Sequence, residues 1–517
     1  PPGGGQHQQN LVKEIAIIGM GGVESTIIDA DYGQSHFMAD SLEKLTVSGI
    51  SFVKGFTNNY GGSFQMNEID SLFVRNSKFV DNGSQSGGGA ISLNAVKHSI
   101  FNNVEFLSNR VNSNDSQNSA QGGAVVIFNQ FEDELTNTFF INCIFENNGI
   151  INEANQGSAH GGVFYINSGS RVAIVQSEFT NNFIQVQGGS SSFANAALVA
   201  YYGSANVQSW NDVAPLLSIR QSFIANNTIL TDGGSNALLI DTNVPLDFVN
   251  NLVANNRDEN SKSYSLFQQG ANKDQGGASA VSNYINNTIY ANQGGQLLFA
   301  AFGEDENINI TNNIIWSNNG GQNESSNFYK ANSVTMYVNN NILEPTVQGD
   351  FTSIDNILED PKLRNPNNGD FRLQGNSPGI DAGAYVGEIF DIRGYYRVGD
   401  PDIGAFESGA SKYILAIQDD IVGNKDTTFV TRNDTLEFTV TTNDINGNIV
   451  DSNENVQWSI FPSAKYVNLI SSDPTTSGGS ATARFKVSQQ ARSKGFRFRI
   501  EAEIGDAIMR SEMYVIE

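Results

Sequence analysis

The stretch Ser71-Leu72-Phe73-Val74-Arg75-Asn76-Ser77-Lys78-Phe79-Val80-Asp81-Asn82 carries the pattern that decides the fold. Apolar residues alternate with others before Asn76, Phe79 follows three residues after it, and Asn82 follows six residues after it. Alternation with period two is typical of a β-strand with one buried face, whereas a helix would space its apolar residues by three and four. The stretch therefore predicts a strand, a corner at Asn76 and a second apolar contact at Phe79.

This pattern recurs along most of the chain. The place of Asn76, called the corner position, is taken by Gly49, Asn76, Asn103, Asn142, Gln176, Gln221, Asn250, Asn286, Asn312 and Asn340. The position two residues before it is always apolar or aromatic: Val47, Val74, Phe101, Phe140, Ile174, Ile219, Phe248, Tyr284, Ile310 and Val338. The position three residues after it holds Phe52, Phe79, Phe106, Phe145, Phe179, Ile224, Val253, Ile289, Ile315 and Leu343. The position six residues after it holds Asn82, Asn109, Asn148, Asn182, Asn227, Asn256, Asn292 and Asn318, with Gly55 and Thr346 in the outermost copies.

Spacing and glycine placement indicate stacked coils. Successive copies lie roughly 26 to 45 residues apart, within the range of stacked-repeat proteins. Gly-Gly pairs such as Gly88-Gly89 and Gly122-Gly123 fall between the copies and permit tight corners. Coils about 4.8 Å apart bury the apolar face of each strand against the next. The prediction is an all-β chain with a parallel β-helix, rather than a propeller or a sandwich, and with an amide ladder of stacked Asn at the corner position.

The repeats resemble a known family. Gly88-Gly89-Ala90-Ile91 and the Phe-x-x-Asn phrases that begin at Phe79 and Phe106 resemble the repeats of chlamydial polymorphic outer-membrane proteins. More broadly, residues 15–345 are similar to bacterial right-handed parallel β-helix repeat proteins. That resemblance implies a right-handed helix. The composition of residues 1–14 marks them as a polar lead before it.

Residues 346–410 break the repeat. They hold several prolines and the phrases Asn376-Ser377-Pro378-Gly379-Ile380-Asp381 and Pro401-Asp402-Ile403-Gly404-Ala405-Phe406-Glu407. This segment resembles the closing module of choice-of-anchor Q surface proteins, in which it ends the β-helix. Arg393 or Arg397 is expected to pair with Asp381, Asp391 or Asp402, and a buried catalytic carboxylate pair is the alternative.

Residues 411–517 show strand-like alternation with turns between, which predicts a small β-sandwich. Asp444-Ile445-Asn446-Gly447-Asn448, with Trp458 and Gly478-Gly479, resembles bacterial Ig-like domains of the invasin type. Oxygen ligands from Asp444, Asn446, Asn448 and Asp451 are a candidate Ca²⁺ site. A hairpin turn at Asn446-Gly447 is the alternative, and no other cofactor is expected.

Composition limits the function and the compartment. The 517 residues carry a net charge of −25 and one cysteine. Nucleic acids and anionic membranes require Lys/Arg patches, so neither is an expected partner. No apolar run is long enough to insert into a membrane. Cys143 shares the parity of Phe145 and is expected to be a packed residue. These features predict an extracellular or bacterial cell-surface protein of unknown oligomeric state, and the start Pro1-Pro2-Gly3-Gly4-Gly5 without Met is expected to reflect a processed or engineered segment.

Candidate ligand contacts lie in two predicted surface bulges, residues 185–215 and 257–275. The first carries Tyr201, Tyr202 and Trp210, whose rings are candidates for sugar stacking, and ordinary loop packing is the alternative. The outward columns show no cluster of carboxylates. His7, His36, His98 and His160 lack ligand spacing and are expected at the surface or in packing contacts.

Three hypotheses about function follow. The first is a non-catalytic surface or secreted protein acting in adhesion or glycan binding, with a polysaccharide or a cell-surface glycoprotein as partner. The second is a polysaccharide lyase or glycosidase with a groove on the β-helix, which would need acidic and basic loop residues to converge. The third is a structural scaffold of a surface assembly.

Overall fold

The structure is a computed structural model that describes most of the 517 residues. The described ranges are 14–129, 135–167, 169–203, 215–272, 279–318, 328–410, 414–419, 428–444, 448–461, 464–488, 496–504, 507–511 and 514–516. Within them, no helix has the length and apolar character needed to span a bilayer. Regular structure consists almost wholly of strands, and the main-chain pairing divides them into two groups.

The described strands between residues 14 and 354 form a parallel β-helix, as predicted. Its largest sheet has 21 strands: Glu14–Ile18, Ile27–Asp29, Lys44–Ser48, Ser51–Val53, Ser71–Val80, His98–Leu107, Thr136–Ile141, Ile144–Glu146, Ser170–Val175, Glu178–Thr180, Leu217–Arg220, Phe223–Ala225, Leu246–Val249, Leu252–Ala254, Val281–Ile285, Thr288–Tyr290, Asn307–Thr311, Ile314–Trp316, Thr335–Asn339, Ile342–Leu343 and Thr352–Ile354.

Three smaller parallel sheets complete the coils. A ten-stranded sheet comprises Phe37–Asp40, Phe64–Asn67, Ile91–Asn94, Val125–Phe128, Phe164–Asn167, Val199–Tyr202, Ser235–Thr242, Ser263–Gln269, Leu297–Ala301 and Phe328–Lys330. A seven-stranded sheet comprises Phe56–Thr57, Gly83–Ser84, Arg110–Ser113, Gly149–Asn152, Phe183–Val186, Thr228–Thr231 and Arg257–Asp258. A three-stranded sheet comprises Ala120–Gln121, Ser158–His160 and Phe193–Asn195.

The two predicted apolar columns lie in the core. Every member of both columns is 3% exposed or less. Phenylalanines stack from coil to coil in the first half, with ring centroids 5.3 Å apart for Phe52 and Phe79, and 4.8 Å apart for Phe145 and Phe179. From Ile224 onward this column is aliphatic. Stacking then resumes on the ten-stranded sheet, where Phe267, Phe299 and Phe328 follow one another at 5.2 Å.

The corner positions have the predicted geometry, but the main amide ladder lies elsewhere. Asn76 has φ 45°, and the corner residues from Asn103 to Asn340 also have positive φ. The ladder is formed six residues after each corner, where Asn148 is fully buried. The Asn148 side-chain oxygen accepts from the Asn109 backbone N–H at 3.0 Å and from its amide at 2.9 Å. The Asn148 amide donates in turn to Phe106 O and to Asn182 Oδ1, and the series runs from Asn82 to Asn318.

A second ladder occupies the position directly after the corner in the later coils. Asn251, Asn287, Asn313, Asn341 and Asn356 are linked by amide-to-oxygen bonds of 2.9–3.1 Å. Cys143 holds the equivalent position in an earlier coil and is buried, which confirms its assignment as a packed residue. Burial raises the pKa of its thiol to about 12.

The β-helix unit ends beyond residue 345. Tyr337 pairs with Thr352 and Ile342 with Ile357, and one compact unit comprises residues 1–361 with 403–405. Ile403 and Ala405 are fully buried. The Gly404 N–H donates to Asn312 O at 2.7 Å and the Ala405 N–H to Thr288 Oγ1 at 3.1 Å. These three residues thus cover the outer side of the last coils.

The second unit comprises residues 362–402 and 406–517. It begins with an antiparallel pair, Leu363–Asn365 and Asp370–Leu373, around the 3-10 turn Pro366–Asn368. Two further sheets follow. The four-stranded sheet comprises Ile414–Asp419, Thr435–Asn443, Ser480–Val487 and Val467–Ser472. The five-stranded sheet comprises Thr428–Val430, Tyr514–Ile516, Arg497–Ile504, Gln457–Phe461 and Ala507–Arg510, and a 3-10 turn lies at Ala464–Tyr466. Phe438, Phe485 and Phe498 share one buried cluster drawn from both sheets. The Ig-like classification and the handedness of the β-helix stay predictions.

Candidate functional site

The three aromatic residues predicted to bind sugar have different positions. Tyr201 is fully buried, and its hydroxyl is hydrogen-bonded to the backbone of Ser170. In the strand register it takes the inward place of Ile166, so it has no ring face for a ligand and the stacking role does not apply to it. Tyr202 is partly buried on the outer side of the same strand. Trp210 lies outside the described residues.

Tyr202 belongs to a polar network around Asp241, called the Asp241 cluster. The carboxylate of Asp241, 4% exposed, accepts hydrogen bonds from Tyr202 Oη at 2.9 Å and from the Asn195 amide at 2.5 Å. The amides of Asn236 and Gln268 also donate to it, at 3.2 and 3.1 Å. All four donors are neutral, and together they hold the carboxylate on the outer side of the ten-stranded sheet.

Aromatic rings border the Asp241 cluster on one side. The Tyr202 ring lies 5.9 Å from the rings of both His160 and Tyr165. His160 also contacts Phe193 at 5.6 Å. Tyr165 packs with Val126 and Ala200 in a small apolar cluster separate from the main core. Aromatic side chains beside a few fixed polar groups are the usual composition of a ligand site.

Burial sets the protonation states in this region. It lowers the pKa of His160 to about 4, against the opposing effect of the Asp241 charge, so the imidazole is neutral at physiological pH. Burial and the neighbouring Asp241 carboxylate raise the pKa of Tyr202. Tyr202 therefore stays a phenol that donates its hydrogen bond to Asp241.

Strand register connects the Asp241 cluster with a second aromatic group. A continuous outward row on the ten-stranded sheet, called the outer row, consists of Tyr165, Ala200, Asp241, Gln268, Ala300 and Tyr329. At its far end the Tyr329 ring lies 5.3 Å from Phe302 and 6.4 Å from Tyr264. Phe302 and Tyr329 are 43% and 40% exposed. These three residues are called the distal aromatic group.

In their described parts the two predicted bulges are largely regular coils, and residues 204–214 and 273–275 of them lie outside the described residues. Arg257–Asp258 and Ser263–Gln269 are strands of the β-helix, as are Phe183–Val186 and Val199–Tyr202. The carboxylate of Asp258 accepts backbone hydrogen bonds from Asn260 and Lys262 and organises the corner between its two neighbouring strands. Because these segments are strands, the alternation of side chains along each strand, rather than loop composition, identifies the residues that face outward.

Two residues of the candidate Ca²⁺ site, Asp444 and Asn448, are hydrogen-bonded to each other. The Asn448 backbone N–H donates to Asp444 Oδ1 at 2.9 Å, the Asn448 amide donates to the same carboxylate, and Asn443 is bridged to Ile449. These bonds accord with the turn alternative. Asn446 lies outside the described residues, and Asp451 is exposed. Among the residues with described positions, no three His, Cys, Asp or Glu side chains are grouped to hold a metal ion.

The acidic residues of the closing segment form structural pairs. Arg393 contacts the buried Asp391 at 2.7 Å, one of the expected pairings, whereas Arg397 contacts Glu407 at 2.8 Å. The carboxylate of Asp402 accepts the backbone N–H groups of Asp381 and Ser408. Burial raises the pKa of Glu407 to about 7. Because main-chain donors engage these oxygens, the network suits folding of the segment rather than proton transfer to a substrate.

The acidic side chain of Glu306 is buried within the β-helix. Glu306 is 1% exposed, and its Oε1 accepts from Ser282 Oγ at 3.0 Å. Its Oε2 and the Oε1 of Gln269 are buried without a hydrogen-bond partner. Burial raises the pKa of Glu306 to about 8, so the side chain is protonated at neutral pH. An enclosed acid of this kind has no route to a substrate.

Comparison with models of protein families, with curated proteins and with solved structures finds no match for this chain.

Proposed function

We propose that this chain is a non-catalytic, exported bacterial surface protein that binds glycans on the outer side of its ten-stranded sheet. The observation that carries the proposal is the Asp241 cluster next to the rings of Tyr202, His160 and Phe193. Tyrosine and histidine rings offer an apolar face with a polar edge, and the Asp241 cluster adds the partly exposed amide groups of Asn236 and Gln268 on a rigid sheet. Adhesion through surface glycans follows as its role.

The state of Asp241 favours binding over catalysis. Glycoside hydrolysis requires two carboxylates that flank the bond to be cleaved. Asp241 accepts four hydrogen bonds from neutral side chains, which suits it to fix those side chains rather than to transfer protons. The polysaccharide lyase or glycosidase alternative has no comparable observation in its favour.

The export and the surface location rest on the resemblance of the repeats and of residues 346–410 to surface proteins. The net charge of −25 is compatible with an extracellular role and unfavourable for binding nucleic acid. A scaffold without a ligand would not require the aromatic rings of Tyr202 and His160 to remain partly accessible beside a polar network.

The test is retention on immobilised polysaccharides, neutral and uronate-containing, with reducing ends and unsaturated products measured in parallel with and without Ca²⁺. We expect binding without cleavage. Tyr202→Ala should weaken retention about tenfold or more, as expected for an aromatic residue at the centre of an interface. The matched control is Tyr337→Ala, since Tyr337 is 38% exposed on the 21-stranded sheet. Cleavage of any substrate, or equal effects of the two variants, would contradict the proposal.

A further inference from the structure

The first two strands of the ten-stranded sheet carry an open cleft on their outer side. Met38 on Phe37–Asp40 and Gln65 on Phe64–Asn67 are paired in register, and Met38 is 72% exposed. The cleft that they line together with the strand Phe56–Thr57 has a volume of about 560 Å³, within the range of sites for small organic ligands. It is called the Gln65 cleft, and its walls include Gln34, Ser35, Met38, Phe56, Asn58 and Gln65.

The Gln65 cleft ends where the following coils are covered. From Gln65 the row of outward residues continues to Ser92 and Val126, which are 7% and 0% exposed. The glycine corners provide this cover, since a β-carbon at Gly61 would lie 3.0 Å from Ser92 Cβ and one at Gly88 would lie 3.0 Å from Val126 Cγ2. The cleft is therefore confined to the first coils and is separate from the Asp241 cluster.

Side-chain amides and hydroxyls supply the polar groups of the Gln65 cleft. Gln65 Nε2 donates to Ser35 Oγ at 2.8 Å, and Ser35 Oγ donates to Gly61 O at 3.0 Å, so these bonds hold the Gln65 side chain in place. Gln34 and Asn58 are exposed, and within the described part of the chain no hydrogen bond engages their side-chain amides. Each amide can both donate and accept, as can the hydroxyl groups of a sugar.

One aromatic ring forms most of the apolar wall. Phe56 is partly buried, and its ring packs over Gly83 of the adjacent strand, where a β-carbon would lie 3.2 Å from Phe56 Cδ2. Met38 adds a flexible apolar side chain. A supported ring next to hydrogen-bonding groups can contact the apolar face of a ligand while its polar groups are bound.

The Gln65 cleft is uncharged although the chain is strongly acidic. All eight residues that line it are neutral, whereas the chain carries a net charge of −25. Two charged residues close to it in sequence, Lys54 and Asp29, are paired with each other at 3.1 Å. An ionic ligand would find no countercharge in the walls, and a wholly apolar ligand would contact only Phe56 and Met38. A neutral, hydroxyl-rich ligand matches these walls best.

We infer that the Gln65 cleft is a binding site for a short neutral saccharide. The amides of Gln34, Asn58 and Gln65 bind its hydroxyl groups, and the ring of Phe56 contacts its apolar face. The inference rests on the walls of this cleft alone, so it holds whether or not the Asp241 cluster binds glycans. The competing ligand is an extended peptide that adds to Phe37–Asp40, the first strand of the sheet, through backbone groups instead of the side-chain amides.

The experiment is isothermal titration calorimetry of the full chain with short neutral oligosaccharides of glucose, galactose, mannose or xylose. Oligogalacturonate and a neutral peptide of alternating Thr and Val are titrated in parallel. The wild type is compared with a Tyr202→Ala background, in which the Asp241 cluster has lost its ring. In that background the test variant adds Gln34→Ala with Asn58→Ala. The matched control adds Asn59→Ala, because Asn59 is exposed next to Asn58 and does not line the cleft.

We expect a neutral oligosaccharide to bind in the Tyr202→Ala background. The test variant should lose about tenfold or more in affinity, and the control should match the background. Phe56→Leu, which removes the ring and keeps an apolar side chain, should weaken binding by a similar factor. Thermal unfolding of each protein verifies that the fold is kept.

The outcomes separate this inference from the proposed function. Binding by the wild type that disappears in the Tyr202→Ala background, or equal affinities of the test variant and the control, would overturn the Gln65 cleft as a site and leave the Asp241 cluster in place. Equal binding by the wild type and the Tyr202→Ala protein, with loss in the test variant, would support the cleft and contradict the Asp241 cluster. Preference for oligogalacturonate or for the peptide would overturn the neutral saccharide as ligand, and absence of all saccharide binding would overturn both proposals.

Discussion

At the scale of single residues, Glu306 is the most consequential polar group in the interior. A carboxylate buried without a compensating charge is costly, and this cost is avoided when the group takes up a proton. Ser282 supplies the hydrogen bond to Glu306 Oε1, and burial is the main reason for its raised pKa of about 8. The protonated acid also offers a donor to a region where Gln269 Oε1 has no partner.

The first prediction concerns stability against pH. The folded-state pKa of Glu306 is about 8 and its ordinary value 4.5, so the folded protein binds more protons between these values. The free energy of unfolding should therefore fall as pH rises from 4.5 to 8, by at most about 1.4 kcal/mol per pH unit. Glu306→Gln, which keeps a donor and carries no charge, should flatten this slope in denaturant titrations.

Two comparisons isolate the contribution of Glu306. Glu304→Gln alters an exposed acid two residues away and should leave the slope unchanged. The pKa of Glu407 is also raised, to about 7, so Glu407 contributes to the pH slope of the unfolding free energy in every variant. Its contribution cancels when the slope of a variant is subtracted from that of the wild type. Identical slopes for the Glu306→Gln variant and the wild type would show that Glu306 does not titrate as described.

Single functional residues were only partly predictable. Strand parity places Tyr201 inward, two residues after the inward Val199, so its burial could have been recognised. Tyr202 has the opposite parity and does lie outward. Asp241 could not be found from sequence, since its partners Asn195 and Gln268 come from two other strands and meet it only through register.

At the scale of elements, the buried amide ladder links the coils most directly. Each Asn side chain replaces a strand partner at a corner where the sheet hydrogen bonds stop. Removal of one leaves polar groups of its neighbours unpaired, and each buried unpaired group costs about 1–3 kcal/mol. The ladder therefore resists local opening at every corner that it lines.

The second prediction is that Asn148→Ala lowers the free energy of unfolding by about 3 kcal/mol or more. The change leaves the Asn109 N–H, the Asn109 amide and Phe106 O without their partner. Asn102→Ala, at an exposed strand position, is the control and should change stability by less than about 0.5 kcal/mol. Equilibrium denaturation measures both. A similar decrease in the free energy of unfolding for the Asn148→Ala and Asn102→Ala variants would show that the ladder is not a main source of stability.

The location of this ladder could not be derived from the repeat. Counting by twos from Phe79 places Asp81 inward and Asn82 outward. In the structure Asp81 has φ 55° and forms a second corner, which reverses the parity and turns Asn82 inward. The equivalent corner residues in later coils include Ser108, Asn147 and Ala291, so no residue type marks this position in the sequence.

At the scale of the whole molecule, the chain returns to the β-helix after leaving it. Residues 362–402 belong to the second unit, whereas Ile403–Ala405 belong to the first. The composition break at residue 346 predicts a change of structure there, but parallel pairing continues to Ile354 because it depends on register with Tyr337–Asn339 and not on the Asn phrase. A short return segment such as 403–405 has no periodicity that a sequence could reveal.

The third prediction tests this return segment. Gly404 has φ 105°, and a β-carbon there would lie 2.7 Å from Ile314 Cδ1 and 3.0 Å from Thr288 Oγ1. Gly404→Ala should therefore destabilise the protein by about 1–3 kcal/mol in thermal or denaturant unfolding. Gly375→Ala is the control, since Gly375 has open space around it and should tolerate a methyl group. Equal stability of both variants would mean that the segment contributes little.

The positions of the aromatic residues in the lumen change along the β-helix, and this has a consequence for evolution by duplication of coils. In early coils the phenylalanines of the Phe52–Phe179 column fill the lumen together with Phe64 and Phe164 of the ten-stranded sheet, and in late coils Phe267, Phe299 and Phe328 of that sheet do so. Interiors are packed at nearly constant density. A coil copied from one half into the other would meet neighbours whose rings fill different parts of the lumen, and so produce crowding or a void. The coils share one sequence pattern, yet the side chains of one coil do not fit the packing of another.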